Sequence, residues 1–163
     1  MKKYIVPSIV IITIWVLDYW SKAWILSNLY RKSMEIFPFL HFTYAENTGV
    51  AFGMFQNSNM LLLIATTCIL IGLIIFRKDF VTNHKSSQIG YWFVIAGALG
   101  NITDRILYRY VVDFVDLSFF PAVFNVADSA ITVGAILMGW GLLLESGKER
   151  MKKRKLEAKD GEI

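Results

Sequence analysis

The sequence predicts an all-α membrane protein, four transmembrane helices with a small β-rich extracytoplasmic loop region, and three observations predict it. Of the 163 residues, 55% are hydrophobic and only 18% charged, with a mean hydropathy of +0.48; a soluble domain carries about 45–50% apolar and about 25% charged residues. The apolar residues gather in four stretches of near-membrane length, and most basic residues fall on one side of them. Such a composition excludes a disordered chain. A single cysteine, Cys68, excludes a disulfide framework, and two histidines with one cysteine cannot close a zinc site.

In chain order the stretches are Ile5–Leu26, Asn59–Phe76, Ile89–Arg105 and Val123–Glu145, each within the range of about 17–25 residues that spans a bilayer. The first resembles a signal peptide, because Lys2 and Lys3 precede it and Ser21-Lys22-Ala23 near its end loosely resembles a small-x-small cleavage site. Trp15, Asp18, Tyr19, Trp20 and Lys22 crowd the region where a cleavage segment is small and neutral, so a retained span is expected. The stretch from Phe37 to Phe55 is rich in aromatic and β-branched residues, with Gly49 and Gly53 as breaks, which predicts short strands and turns. The second span is free of charge from end to end. The third and fourth carry charges near one end.

Orientation follows from the short flanking segments. Lys2 and Lys3, then Arg77, Lys78 and Lys85, then Lys148, Arg150, Lys152, Lys153, Arg154, Lys155 and Lys159 account for twelve of the 17 Lys and Arg residues. Both termini are therefore expected in the cytoplasm, with residues 27–58 and 106–122 outside and 146–163 as a basic tail. Beside a span, that tail reads as a topology anchor that attracts anionic lipid, with no nucleic-acid role. Residues 1–163 read as a single membrane domain without internal repeats.

Ionisable and amide side chains at the outer span ends are costly in lipid and are functional candidates by default. Asp18 and Lys22 are four apart on one helix face, as a structural ion pair or part of a site. Asn101, Asp104 and Arg105 share a face of the third span. They form either a packing seam glued by an Asp–Arg pair, beside the small-residue pattern Ala96-x-x-x-Gly100, or a polar wall in which Arg105 binds a carbonyl, carboxylate or phosphate. Asn125 is a candidate N-cap that places Asp128 near the third helical position, where the helix dipole favours a carboxylate. Asp116 reads as a solvated surface acid, whereas Asp113 sits in an apolar setting. Two carboxylates meeting at a membrane boundary suggest aspartic-protease chemistry, one taking a proton from water while the other polarises an amide carbonyl. Fifteen residues separate Asp113 from Asp128, and that spacing fits a metal-binding cluster equally well. Cys68 is mid-span and inert, no His lies near Ser21 or Ser129, and no phosphate-binding glycine motif is present.

Five short motifs in one order resemble the bacterial lipoprotein signal peptidases (signal peptidase II). Asp18-Tyr19-Trp20-Ser21-Lys22 is similar to D-x-x-[ST]-K, Asn47-Thr48-Gly49-Val50-Ala51-Phe52 to N-x-G-x-A-[FW], and Ala96 to Arg105 to G-G-x-x-G-N-x-x-D-R. Val112-Asp113-Phe114-Val115-Asp116 and Phe124-Asn125-Val126-Ala127-Asp128 are similar to the two blocks that hold the catalytic pair. Ala96, Val50 and Tyr19 depart from the usual residues, and the Asp113–Asp128 loop looks short. The resemblance implies an aspartic endopeptidase, without metal or other cofactor, that removes the signal peptide from diacylglyceryl-modified prolipoproteins by cutting before the lipidated Cys. It implies Asp113 and Asp128 as the catalytic dyad. Asn47, Gly49, Asn101, Arg105 and Asn125 then line the substrate site, with Asp18, Lys22 and Asp104 in support. The implied partners are prolipoproteins and membrane lipid, and the implied setting is the bacterial cytoplasmic membrane, with a monomeric enzyme whose site lies at the outer face. Two rival classes fit less well. A CDP-alcohol phosphotransferase needs a D-G-x-x-A-R-type run that is absent, and a transporter would set its charges nearer the midplane, often in inverted repeats.

Overall fold

The computed structural model describes residues 2–49 and 58–160. These form helix α1 (Lys2–Asn28), strands β1 (Ser33–Phe37) and β2 (Leu40–Asn47), helix α2 (Asn59–Ile75), a short helix α3 (Arg77–Phe80), helix α4 (Lys85–Leu107), strand β3 (Val111–Leu117) and helix α5 (Val126–Asp160). All four apolar stretches lie on helices. Two of them, within Ile5–Asn28 and Val126–Lys152, are long and apolar enough to cross a membrane, with mean hydropathies of 1.5 and 1.6. Large apolar side chains stand exposed along them, among them Ile9 and Ile12 on α1 and Ile136, Trp140 and Leu143 on α5. A surface so apolar belongs against lipid.

The elements depart from the sequence expectation at their ends. α5 starts at Val126, not Val123, because Phe124 is held in a bridge to Val115: each backbone N–H donates to the other's carbonyl, at 3.0 and 2.7 Å. It then runs unbroken to Asp160, so the basic tail is helical as far as that residue. α4 begins four residues before the expected span, capped by the His84 side chain, which accepts from the Ser86 N–H. The loop expected on the inner side holds α3, and the strands begin at Ser33 rather than near Phe37. Of the expected outer-loop segment, residues 50–57 lie outside the described residues.

α4 and α5 are the most extensively packed pair of elements, and glycine makes their approach possible. A Cβ added at Gly134 would lie 2.7 Å from the Gly90 carbonyl oxygen and 2.8 Å from the Val94 backbone nitrogen. α1 packs on both, with Ile14, Ala96 and Ala130 buried where the three helices meet. The small residues seen at Ala96 and Gly100 belong to a longer glycine seam that extends to the other end of α4.

The strands form one antiparallel sheet in the order β1-β2-β3. Its inner face covers Ile25 and Leu29 of α1 through Val112 and Phe114, with Phe42 edge-on to Phe114 at 5.7 Å. A register shift between Phe42 and Ala45 inserts an extra β2 residue, so Ala45 opposes Asp113 and Asn47 opposes Val111. Because strand side chains alternate, that extra residue decides which β2 side chains face the Asp113 side of the sheet.

Gly134→Val should therefore destabilise the protein by about 1–3 kcal/mol through overpacking against backbone that cannot retreat. Gly139→Val, where nothing lies within 4 Å of an added Cβ, should change stability by less than about 0.5 kcal/mol. Thermal unfolding in detergent reads both.

Candidate active site

The polar residues near the C-terminal ends of α1 and α4 and the N-terminal end of α5 converge on one buried cluster, and its centre is Lys22. The Lys22 ammonium lies 2.7 Å from Asp18 Oδ2 and 2.9 Å from Asp104 Oδ2, and all three side chains are almost wholly buried. Asp104 thus pairs with Lys22 on α1 and not with its neighbour Arg105, which corrects the Asp–Arg seam. Each carboxylate also holds a backbone N–H of another element. Asp18 Oδ1 accepts from Ala127 N at 2.9 Å, and Asp104 Oδ2 accepts from Val112 N at 3.0 Å. The first bond caps the start of α5, where orphan N–H groups need acceptors. The second fixes the start of β3, one residue before Asp113. Gly100 lets α4 come this close, since a Cβ there would lie 2.6 Å from Asp18 Oδ2.

Amide side chains link this cluster to the two candidate carboxylates. Asn125 caps α5, its Oδ1 accepting from Asp128 N at 2.8 Å, which places Asp128 at the third helical position. Its Nδ2 donates to Asp113 Oδ1 at 2.6 Å and reaches Asn101 Oδ1 at 3.3 Å. Asn101 Nδ2 donates to Asp128 Oδ1 at 2.7 Å, and Asn101 Oδ1 accepts from Lys22 at 3.4 Å. Asn47, opposite Val111, sits diagonally across from Asp113 on the same strand face. Its Nδ2 donates to Asp113 Oδ2 at 2.8 Å while its Oδ1 accepts from Gly49 N at 3.0 Å. Asp113 and Asp128 thus stand at opposite ends of the chain Asp113–Asn125–Asn101–Asp128.

Asp113 is 1% exposed. Burial first, then the negative charge of Asp128, pushes its carboxyl up to about 7, and the amide hydrogen bonds from Asn47 and Asn125 oppose that rise. Asp128 is half-buried and lines a cavity of about 660 Å³ together with Asn47, Gly49 and Arg105. The far wall is apolar, formed by Leu117, Phe119, Phe120, Val123 and Val133. Asp113 lies directly behind Asn47. Arg105 is 8% exposed, and the only hydrogen bond it donates among the described residues is a long one, 3.4 Å from Nη1 to the Asn101 carbonyl. Its buried Nε has no partner there. Arg105 lines the cavity, and among the described residues no other donor of its guanidinium is paired.

Three of the four carboxylate oxygens accept from amide N–H groups: Asp113 Oδ1 from Asn125, Asp113 Oδ2 from Asn47 and Asp128 Oδ1 from Asn101. Among the described residues no three His, Cys, Asp or Glu side chains converge as a metal site would require. Asp116 is only half-buried but is not simply solvated, since it accepts from Thr43 Oγ1 at 2.9 Å on the neighbouring strand. Of the motif from Asn47 to Phe52, the residues Val50, Ala51 and Phe52 lie outside the described residues. Sequence reasoning missed Asn59, whose Nδ2 donates to the Arg105 carbonyl at 3.3 Å, and the α5 residues Ser129, Thr132 and Val133 on the cavity wall. No local pattern marks them, since only packing brings them there.

A family model described as signal peptidase (SPase) II matches residues 10–144. The lipoprotein signal peptidase of Caldanaerobacter subterraneus subsp. tengcongensis is 42% identical over 111 residues, 67% of this chain and 74% of its own. That of Clostridium novyi is 39% identical over 137 residues, covering 80% and 92%, and that of Shewanella oneidensis 34% over 152 residues, covering 88% and 89%. A bacterial membrane enzyme solved by the in meso method superposes with a TM-score of 0.78 at 32% identity, over 88% of this chain and 90% of that one. The match spans every element that builds the carboxylate cluster, and the chain belongs to the signal peptidase II family of membrane proteases.

Proposed function

We propose that Asp113 and Asp128 are the catalytic pair of an aspartic endopeptidase that removes the signal peptide from diacylglyceryl-modified prolipoproteins, cutting before the lipidated Cys. The observation that carries this reading is the amide-bridged carboxylate pair, one member deeply buried and the other on a cavity wall. Asp113, raised to about 7, is the member of the pair that keeps its proton up to near-neutral pH. Asp128 takes a proton from water, the water oxygen attacks the scissile carbonyl carbon, and the Asp113 proton goes to the carbonyl oxygen. On collapse of the tetrahedral intermediate Asp128 gives its proton to the departing amide nitrogen and Asp113 takes one back from a hydroxyl of the intermediate, so both carboxyl groups return to their starting states. Asn47, Gly49, Asn101, Arg105 and Asn125 line or orient the substrate site, and Asp18, Lys22 and Asp104 support it. No metal or other cofactor takes part.

The same reading places all four long helices across the bacterial cytoplasmic membrane as one domain of residues 1–163, with the sheet and dyad at the outer face and both termini in the cytoplasm. The apolar cavity wall suits an acylated substrate that reaches the site from the bilayer. Prolipoproteins and lipid are its partners, and a monomer is sufficient, because one chain supplies every residue of the proposed site.

Asp113→Asn and Asp128→Asn should each lower cleavage of a lipidated prolipoprotein in detergent by about 10²–10⁴-fold. The two losses should combine non-additively, because the residues act as one unit. Asp116→Asn should keep most activity, and chelators should leave it unchanged. Full activity in Asp128→Asn would refute the mechanism.

The pH dependence has a defined sign. Asp113 rises from 3.8 to about 7 on folding, so the folded state binds this proton more tightly and loses that advantage as pH rises toward 7. Cleavage efficiency should fall as pH rises through about 7. Asp113→Asn should gain thermal stability relative to wild type at pH 8 but not at pH 4.

Reporter fusions check the topology. One fused after Glu162 should read as cytoplasmic and one inserted near Asn57 as external; opposite sides for the two termini would overturn the four-span arrangement.

A further inference from the structure

The outer sheet carries an aromatic edge that shares Phe119 and Phe120 with the cavity wall and extends beyond it to Phe37 and Phe39. Phe37 and Phe39 flank the β1–β2 turn, each 54% exposed, with their rings stacked 5.8 Å apart. The loop after β3 docks on that turn. Ser118 donates from its backbone N–H to the Phe39 carbonyl at 3.1 Å and from Oγ to the Pro38 carbonyl at 3.3 Å. Phe119 follows, the most exposed of the four at 76%, and then Phe120 at 45%. No side chain from Ile36 to Leu40 or from Leu117 to Phe124 is charged.

The height of this edge is set by the cavity. Phe119 and Phe120 line it together with Thr132 and Val133, which lie about 6–8 Å beyond Asp128 along α5 at 1.5 Å per residue. The loop therefore shares a cavity wall with the second turn of α5. Its apolar surface continues into the exposed Val133 and Ile136 of the same helix. An uncharged patch of four exposed phenylalanines marks an interaction surface. Its continuity with the exposed apolar face of α5 selects lipid as the occupant.

We propose that this aromatic edge is an interfacial anchor that inserts into the outer leaflet at the boundary between headgroups and acyl chains. It binds the lipid surface rather than a single lipid, as apolar side chains on amphipathic elements do. By pulling one side of the sheet down, it fixes the height of the cavity above the bilayer, and so the level at which a membrane-anchored substrate presents its scissile bond. The proposal rests on the reading that the sheet lies on the outer side of the membrane.

The test uses the full chain in phosphatidylcholine–phosphatidylglycerol vesicles, with the exposed Cys68 replaced by Ala. Spin labels go singly at Phe39→Cys, Phe119→Cys and, as a reference on the same sheet, Glu35→Cys. The labels at 39 and 119 should be more accessible to oxygen than to a water-soluble nickel chelate, and the label at 35 the reverse. Labels at 39 and 119 that read as aqueous would overturn the proposal. So would labels shielded from both reagents, because protein and not lipid would then cover the patch. The double variant Phe37→Ser, Phe39→Ser should keep its rate in detergent and lose several-fold in KM on a lipidated prolipoprotein in vesicles. An equal rate in both settings, or an equal loss in both, would remove the anchoring role. The label measurement needs no cleavage, so its failure is distinct from failure of the proteolytic mechanism.

Discussion

Lys22 is buried between carboxylates from two helices, and the positions of both candidate catalytic residues depend on it. It pairs with Asp18 and Asp104 at once, and each acid also accepts from the backbone of an element that carries a reactive group. Asp18 holds the first turn of α5 two residues into the helix, and Asp104 holds β3 just before Asp113. Removing Lys22 leaves two buried carboxylates without their counter-charge, and breaking a buried ion pair costs about 3–5 kcal/mol. The cluster is thus a joint between α1, α4, β3 and α5 at the level where the proposed chemistry occurs.

The amides built on this joint set the direction of every hydrogen bond around the carboxylates. Lys22 and Asn125 both donate to Asn101 Oδ1, which leaves Asn101 Nδ2 to face Asp128. Gly49 N–H occupies Asn47 Oδ1 and turns Asn47 Nδ2 toward Asp113. Three asparagines are thereby fixed as donors to two acids. An amide free to flip would offer its oxygen to a carboxylate about as readily and would repel it. Preorganisation of this kind holds polar groups in place before the reaction starts and avoids their rearrangement during it.

Glycine has a second part in the same design. Close approach at Gly90, Gly134 and Gly100 brings α4 and α5 together with little side-chain volume between them. The C-terminal end of α4 and the first turn of α5 then bring Arg105 and Asp128 to one cavity, with Asn101 bonded to Asp128. Packing of small residues is how membrane helices associate when apolar burial gives no advantage over lipid. The structure applies that packing along the helices and reserves polar contacts for one end.

The sequence by itself determined where the helices lie, because apolar runs of membrane length admit few alternatives, and it determined that Asn125 caps α5 with Asp128 at the third position, because capping is local. It also singled out each acid and amide of the cluster, since such residues are rare in a chain this apolar. Pairing was beyond it. Asp104 and Arg105 are neighbours on one helix face, yet Asp104 meets Lys22 across 82 positions of sequence. The expected start of α5 at Val123 failed for the same reason, because Phe124 follows its bridge to Val115 instead of its apolar neighbours. Register in the sheet also waited on tertiary structure. The extra residue between Phe42 and Ala45 brings Asn47 to Asp113, and a bulge is chosen by the surfaces it reconciles rather than by the residues that form it.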